Sequence, residues 1–282
     1  MAYQLVQLKN GTWSVHSELE KETFHPVIGP VAEAEALYVR QLRLGERAAE
    51  FHHTEFVIWD IGLGAAANSV TALESLRHRP GKVRMVSFDH SLAPLQFALE
   101  NSTALGFLDG YEAQVAGLLQ TGQIQFQNGS MTVQWETILG DFPTLLASCT
   151  AGNWPSPDAI LFDAYSPAKN PAMWSLPLFT RLFEVASIGR PCNLATYSRA
   201  TLLRTTLLLA GWYVGAGDAT GEKEETTVAA TSPYLIRRPL DRAWLERAHR
   251  STSAEPLRGD TYQQAPLSAA NRERLAAHPQ FQ

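Results

Sequence analysis

The chain settles into a regular rhythm at Phe56. From there to about Thr231, short apolar runs alternate with stretches of helical spacing. FVIWDI (56–61) is a strand-length apolar run, and GLGAAANSVTALESLRHR (62–79) is a Gly-rich turn opening into a helix. VRMVSFD (83–89) is the next run, followed by helical LAPLQFALENSTALG (92–106). QIQFQ (123–127) and MTVQWETIL (131–139) are extended runs around Asn128-Gly129. Gly140-Asp141 closes them, and FPTLLAS (142–148) reads as a helix. DAILFDAY (158–165) and PCNLATYS (191–198) are further strands, separated by helical MWSLPLFTRLFEVAS (173–187). Helical ATLLRTTLLLAG (200–211) then leads into strands WYVGA and TTVAATS. Such alternation predicts a doubly wound α/β domain with a mostly parallel sheet. The last two runs predict an antiparallel hairpin at its edge.

The flanks follow other patterns. In residues 1–50, Tyr3–Leu8 and Thr12–Val15 surround an Asn10-Gly11 turn, which predicts a hairpin. Residues 31–50 carry Val31, Ala34, Tyr38 and Leu42 at helical spacing. Residues 236–282 are polar, Arg-rich and Pro-containing, and read as a peripheral tail. The expected organisation is an N-terminal extension (1–50), a ligand-binding domain (51–235) and that tail (236–282).

Composition narrows the classes. With 23 Lys and Arg against 28 Asp and Glu, the net charge of −5 excludes nucleic-acid binding driven by bulk charge alone. Arg237, Arg238, Arg242, Arg247 and Arg250 cluster late, as a phosphate contact or, more simply, a solvated helix face. Cys149 and Cys192 lie outside any zinc spacing, so no metal site is expected. No secretory signal and no membrane-length apolar stretch is visible, so a cytoplasmic location is expected and no membrane partner is. His52-His53 reads as a surface pair.

In open α/β sheets, ligands bind at the carboxyl ends of the strands, so those positions carry the chemistry. Asp60-Ile-Gly62-Leu-Gly64-Ala-Ala66-Ala-Asn68 has a G-x-G shape that lets backbone approach a ligand, or serves simply as a tight turn. Asp89 ends the second run, placed either to accept both hydroxyls of a ribose or to cap a helix. Asp141 is suited to accept from an adenine amine or, equally, to cap the next helix. Asp163 precedes a loop with Tyr165, Pro167, Lys169, Asn170, Pro171 and Trp174, a combination no regular element needs, read as a rigid substrate loop or as a structural Pro-rich connection. A dehydrogenase and a methyltransferase both fit the first two acids. The final hairpin and Asp163 favour a methyltransferase using S-adenosylmethionine.

The run DAILFDAYSPAKNPAMWSLPLF resembles the D-x-x-x-F/L-D-G-F-x-P-A-K-N-P-x-M-W segment of the MnmC/MnmD-type tRNA wobble-uridine methyltransferases. LATYSRATLLRTTLLLAGW is similar to that family's L-A-T-F/Y stretch. LKNGTWSVHSELEKETFHPVIGPVAEAEALYV is similar to its N-terminal pattern, placing His25 on E-x-Y-H-S and Glu33 on an E-S pair. The resemblance covers roughly residues 5–231. It implies a class I, Rossmann-like fold, S-adenosyl-L-methionine as cofactor, and methylation of the aminomethyl group of a modified wobble uridine in tRNA. Under it, Asp60, Gly62, Gly64, Asn68, Asp89 and Asp141 bind the cofactor and Asp163 is catalytic. Tyr165, Pro167, Lys169, Asn170 and Trp174 contact the substrate, Tyr165 and Trp174 by stacking on a base. Some relatives carry a fused FAD-dependent oxidase; no such domain, and no FAD, is expected in this chain.

Four positions depart from the family pattern. The third glycine of the G-rich loop is Ala66, expected to narrow the turn beside the cofactor, and the Asp-Gly after the buried strand is Asp163-Ala164. Ala34 replaces the serine of the E-S pair. The family's basic G-R-K-R-E turn is Gly221-Glu222-Lys223-Glu224-Glu225, which opposes contact with RNA phosphate. A small amine or another RNA as substrate, or a non-catalytic cofactor-binding protein, are the alternatives.

Overall fold

In a computed structural model, residues 2–51, 54–150, 152–221 and 224–282 are described. His52, His53, Glu222 and Lys223 lie outside them. The strands, in chain order, are β1 (Tyr3–Gln7), β2 (Trp13–Ser17), β3 (Glu22–Thr23), β4 (Glu55–Ile61), β5 (Gly81–Asp89) and β6 (Gln123–Asn128). They continue with β7 (Met131–Leu139), β8 (Ala159–Phe162), β9 (Asn193–Thr196), β10 (Tyr213–Gly217) and β11 (Thr226–Ala230). The first three form a small antiparallel sheet. The other eight form one sheet in the order β10-β11-β9-β8-β4-β5-β7-β6.

β4 pairs in parallel with β5 on one side and β8 on the other. Chain order reverses there, which makes the carboxyl end of β4 the topological switch point. β5–β7 and β8–β9 are also parallel. Antiparallel pairs lie on both flanks: β6 with β7, and β11 with β9 and β10. The expected hairpin is therefore present, with β10 as the outer strand and β11 inserted beside β9.

The central strands are apolar on both faces because helices cover both. Val57, Trp59 and Ile61 enter one core, whereas Phe56 and Ile58 enter the other. β5 divides the same way, with Val86 and Phe88 opposite Val83 and Met85. Among the described residues, no helix is long and apolar enough to cross a membrane.

The stretch read as one helix over 31–50 breaks into three pieces. Pro30–Ala34 is α-helical, Glu35–Arg40 is π-helical, and Leu44–Glu50 resumes after Arg43 at φ 55°. Three buried anchors account for the irregular winding. Tyr38 donates its hydroxyl to the Phe162 carbonyl, and the Gln41 amide oxygen accepts from the Asp218 N–H and the Thr226 hydroxyl. Arg47 is buried and donates to the carbonyls of Asp158 and Pro191 and to Asn193 Oδ1. Satisfying a buried guanidinium fixes the path more strongly than helix propensity does.

Residues 236–282 are polar in composition but are not peripheral in structure. Asp241 caps a helix over Arg242–Arg250, and its Trp244, Leu245 and Ala248 join the core, as do Leu257, Leu267, Leu275 and Phe281. Gln280 bonds both backbone groups of Val214 and the Leu240 carbonyl, covering the outer edge of β10. The five clustered arginines, from Arg237 to Arg250, are exposed.

Candidate active site

A cavity of about 650 Å³ opens at the carboxyl ends of β4, β5, β7 and β8, within the range of small-molecule sites. The Gly-rich turn after β4 meets it with backbone. Gly62 has φ 94°, and a Cβ there would stand 2.5 Å from the Asp163 carbonyl oxygen. Gly64 has φ 52° and faces the ring of Phe24. Its N–H donates to Asp89 Oδ2 at 2.9 Å, while Asp89 Oδ1 accepts from the His90 and Ser91 N–H groups. Asp89 thus ties the two strand-end turns together and also lines the cavity. It does not cap the following helix, whose N-cap is Leu92.

Asp141 caps the helix Phe142–Ser148, accepting from the Thr144 N–H at 3.1 Å and its hydroxyl at 2.5 Å. It lies at the cavity rim, so the capping role and access to a ligand coexist. Asn68, on the first turns of the helix Ala67–Leu76, donates to Asp163 Oδ2 at 2.7 Å. Asn68 Oδ1 is buried and has no hydrogen-bond partner.

Asp60 does not line the cavity. It is 0% exposed beneath the turn, accepting from Ser69 Oγ at 2.5 Å and Ser87 Oγ at 3.1 Å. Burial pushes its carboxyl up to about 7, against the two serine hydrogen bonds. Strand alternation explains this, since Asp60 follows Phe56 and Ile58 onto the face covered by the helix Ala67–Leu76. Ala66, expected to narrow the turn beside the cofactor, is also outside the lining; it is buried at φ 65°, starting that helix.

The loop after β8 divides in two. Asp163, Tyr165 and Asn170 line the cavity. Pro167 and Lys169 do not, and Lys169 is exposed. Trp174, expected to stack on a base, is 0% exposed. It packs edge-on to Phe162 and Tyr197, and its Nε1 donates to the Tyr165 carbonyl at 2.7 Å. It holds the loop from below. Tyr165 leans against Phe24, and burial pushes its hydroxyl well above the usual phenol range.

The N-terminal extension closes the remaining wall. Glu22 accepts from Ser166 Oγ at 2.5 Å. His25, at φ 48°, has Nε2 4.0 Å from Asp163 Oδ2 and Nδ1 3.9 Å from Glu33 Oε2. Composition and spacing gave no sign of Glu22 or Phe24; the E-x-Y-H resemblance was the available signal, and they flank His25 within it. Tyr197, donating to the Ala164 carbonyl at 3.1 Å, stands at the F/Y of the L-A-T-F/Y resemblance, which was its only signal. Burial, then the Asp163 charge, push the hydroxyls of Tyr38 and Tyr197 upward. The lining holds five carboxylates, Glu22, Glu33, Asp89, Asp141 and Asp163, and among the described residues no Lys or Arg. Nor do the described residues contain a His, Cys, Asp and Glu cluster fit for a metal ion.

Residues 106–232 match a family described as S-adenosyl-L-methionine-dependent methyltransferase. The bifunctional protein MnmC of tRNA 5-methylaminomethyl-2-thiouridine biosynthesis from Cupriavidus metallidurans is 28% identical over 240 residues, 80% of this chain and 34% of that one. Its counterpart from Ralstonia nicotianae is 32% identical over 188 residues, 62% of this chain and 27% of that one. The chain thus spans about a third of the length of the curated relatives it matches. The fold is shared with MNMC2 from Aquifex aeolicus, with a TM-score of 0.72 and 22% identity, covering 97% of this chain and 84% of that one. The likenesses that accompany the switch-point cavity and its acids are thus to S-adenosyl-L-methionine-dependent methyltransferases, over residues 106–232 for the family and over most of the chain for the MnmC proteins.

Proposed function

We propose that the chain methylates a primary amine, the aminomethyl group of a modified wobble uridine in tRNA, in the cytoplasm. The observation that carries the amine is Asp163 in a cavity lined by carboxylates and by no Lys or Arg among the described residues. Such walls attract a cationic or amine group and repel phosphate, so a base enters while its backbone stays outside. The MnmC relatives supply the nucleoside class.

The residues present fit the cofactor. Gly62 and Gly64 present backbone rather than side chain to the cavity, and Asn68 Oδ1 is a buried acceptor without a hydrogen-bond partner. Asp89 is assigned to the ribose hydroxyls and Asp141 to the adenine amine, a reading supported by their place in the cavity lining. S-adenosylmethionine, when bound, supplies an electrophilic methyl group on a sulfonium. The chain's own contribution is alignment and electrostatics. Asp163, fixed by Asn68, accepts a hydrogen bond from the amine and favours the positive charge that develops on nitrogen. Tyr165 and Asn170 flank the base.

Asp163→Ala is expected to lower turnover about 10²–10³-fold while cofactor affinity, read by titration calorimetry, stays within about threefold. Unchanged turnover overturns the assignment. The substrate is tested on bulk tRNA from cells lacking the modification, read by nucleoside mass spectrometry. The exposed Glu224 and the acids that line the cavity favour a small free amine as the second reading, which methyl transfer to simple amines but not to that tRNA would establish.

A further inference from the structure

An amine that arrives as ammonium has no lone pair to offer, so some group must first remove a proton. Asp163 already accepts from Asn68 through Oδ2, the oxygen that faces His25. The His25 imidazole beside it can take up a proton on a ring nitrogen.

His25 reaches the site from the loop after β3, and its side chain is 9% exposed. Nε2 lies 4.0 Å from Asp163 Oδ2, too far for a direct hydrogen bond. One nitrogen hydrogen-bonded to both atoms at about 2.8 Å spans that gap with an angle of about 90° at nitrogen. The gap therefore has the dimensions of an amine. On the other side of the ring, Nδ1 lies 3.9 Å from Glu33 Oε2, on the helix Pro30–Ala34. The other titratable groups of this wall are Glu22, Tyr38 and Tyr197; Glu22 is engaged by Ser166, and the two tyrosines donate to backbone carbonyls. His25 also holds φ 48°, a left-handed conformation unusual outside glycine, of the kind that concentrates at functional positions.

We propose that His25 is the proton acceptor for the amine, with Asp163 holding the amine in place and Glu33 bracketing the ring. This rests on the reading that the acceptor is an amine. The N–H bond of the ammonium breaks and its electron pair stays on the amine nitrogen. The Nε2 lone pair forms the new N–H bond, and the imidazolium, its charge facing Glu33, releases a proton to solvent as the product leaves. The amine is left neutral, with its lone pair free.

The test uses His25→Asn, because asparagine tolerates the left-handed conformation and cannot act as the base. His25→Gln is the second variant, and thermal melts of both check folding. With the tRNA acceptor, kcat is expected to fall about 100-fold near pH 7, and the deficit to close to within about threefold near pH 10, where the amine is neutral in solution. A deficit equal at every pH, or none, overturns the proposal. A second readout is independent of turnover. In the full chain saturated with S-adenosylhomocysteine, the His25 ring ¹⁵N signals, assigned by their loss in His25→Asn, are followed on adding 5-aminomethyluridine. A shift toward imidazolium is expected, and unmoved signals overturn the proposal. If the tRNA is not methylated yet the ring signals shift, the tRNA reading falls and the role of His25 stands.

Discussion

The loop after β4 meets the cavity with backbone, while the loop after β8 meets it with side chains. Gly62 and Gly64 stand where a side chain would collide with Asp163 or Phe24. Beyond β8, Asp163, Tyr165 and Asn170 project into the cavity. The supports differ as well. Beneath the first loop lies a buried polar network of Asp60, Ser69, Ser87 and Trp135. Beneath the second lies an aromatic floor of Phe162, Trp174, Phe179 and Tyr197. Backbone presentation restricts residue type through conformation, whereas side-chain presentation needs a rigid apolar platform.

Substitutions in each support should therefore fail for different reasons. Trp174→Ala removes the largest piece of the aromatic floor and is expected to cost about 3–5 kcal/mol in denaturant unfolding. If its cost is instead below about 1 kcal/mol, the floor is not what holds the second loop. Gly62→Ala adds a Cβ against backbone at φ 94° and should destabilise by about 2–4 kcal/mol and weaken cofactor binding, measured by melts and calorimetry.

Asp60→Asn probes the polar network through pH. The folded protein holds the Asp60 proton up to about 7, whereas the unfolded chain releases it near 3.8. Between those values the native state binds more protons, so stability is highest below the unfolded value, falls as pH rises, and levels off above the folded value. Asp60→Asn should remove that fall, worth about 2–4 kcal/mol, and melts across the acidic to neutral range will show it. The smallest effect is at Ala66, which bears left-handed strain without glycine's freedom. Ala66→Gly should raise stability by about 0.5–1 kcal/mol without changing turnover. A loss of stability would mean the methyl group's packing outweighs the strain.

The sequence exposes some of this and hides the rest, for physical reasons. Apolar runs ending in acids mark β4, β5 and β8 because a sheet covered on both faces requires near-continuous hydrophobicity. Asp89 and Asp163 stand at the cavity because strand ends do. The supporting place of Trp174 is hidden, because an aromatic in a polar loop has the same letters whether it faces a ligand or supports the loop. Asp60 points away from the cavity because a single acid on a buried strand takes its direction from the alternation of that strand. His25 and Glu33 are some 130 residues or more before Asp163 in the chain, and only the resemblance linked them to it. The average polarity of the C-terminal segment hides its packing, although Trp244, Leu245 and Ala248 mark one buried helix face.

The contacts that join the two loops have an evolutionary consequence. Asn68 is bonded to Asp163, and the Gly62 backbone lies directly against the Asp163 carbonyl. Residues this close do not accept changes independently. Descendants of this chain that alter one loop first must cross a disabled intermediate unless the other loop compensates. Asn68, Gly62 and Asp163 should therefore be inherited or replaced as a set, and grafting either loop alone into a related scaffold should give far less than the sum of the two.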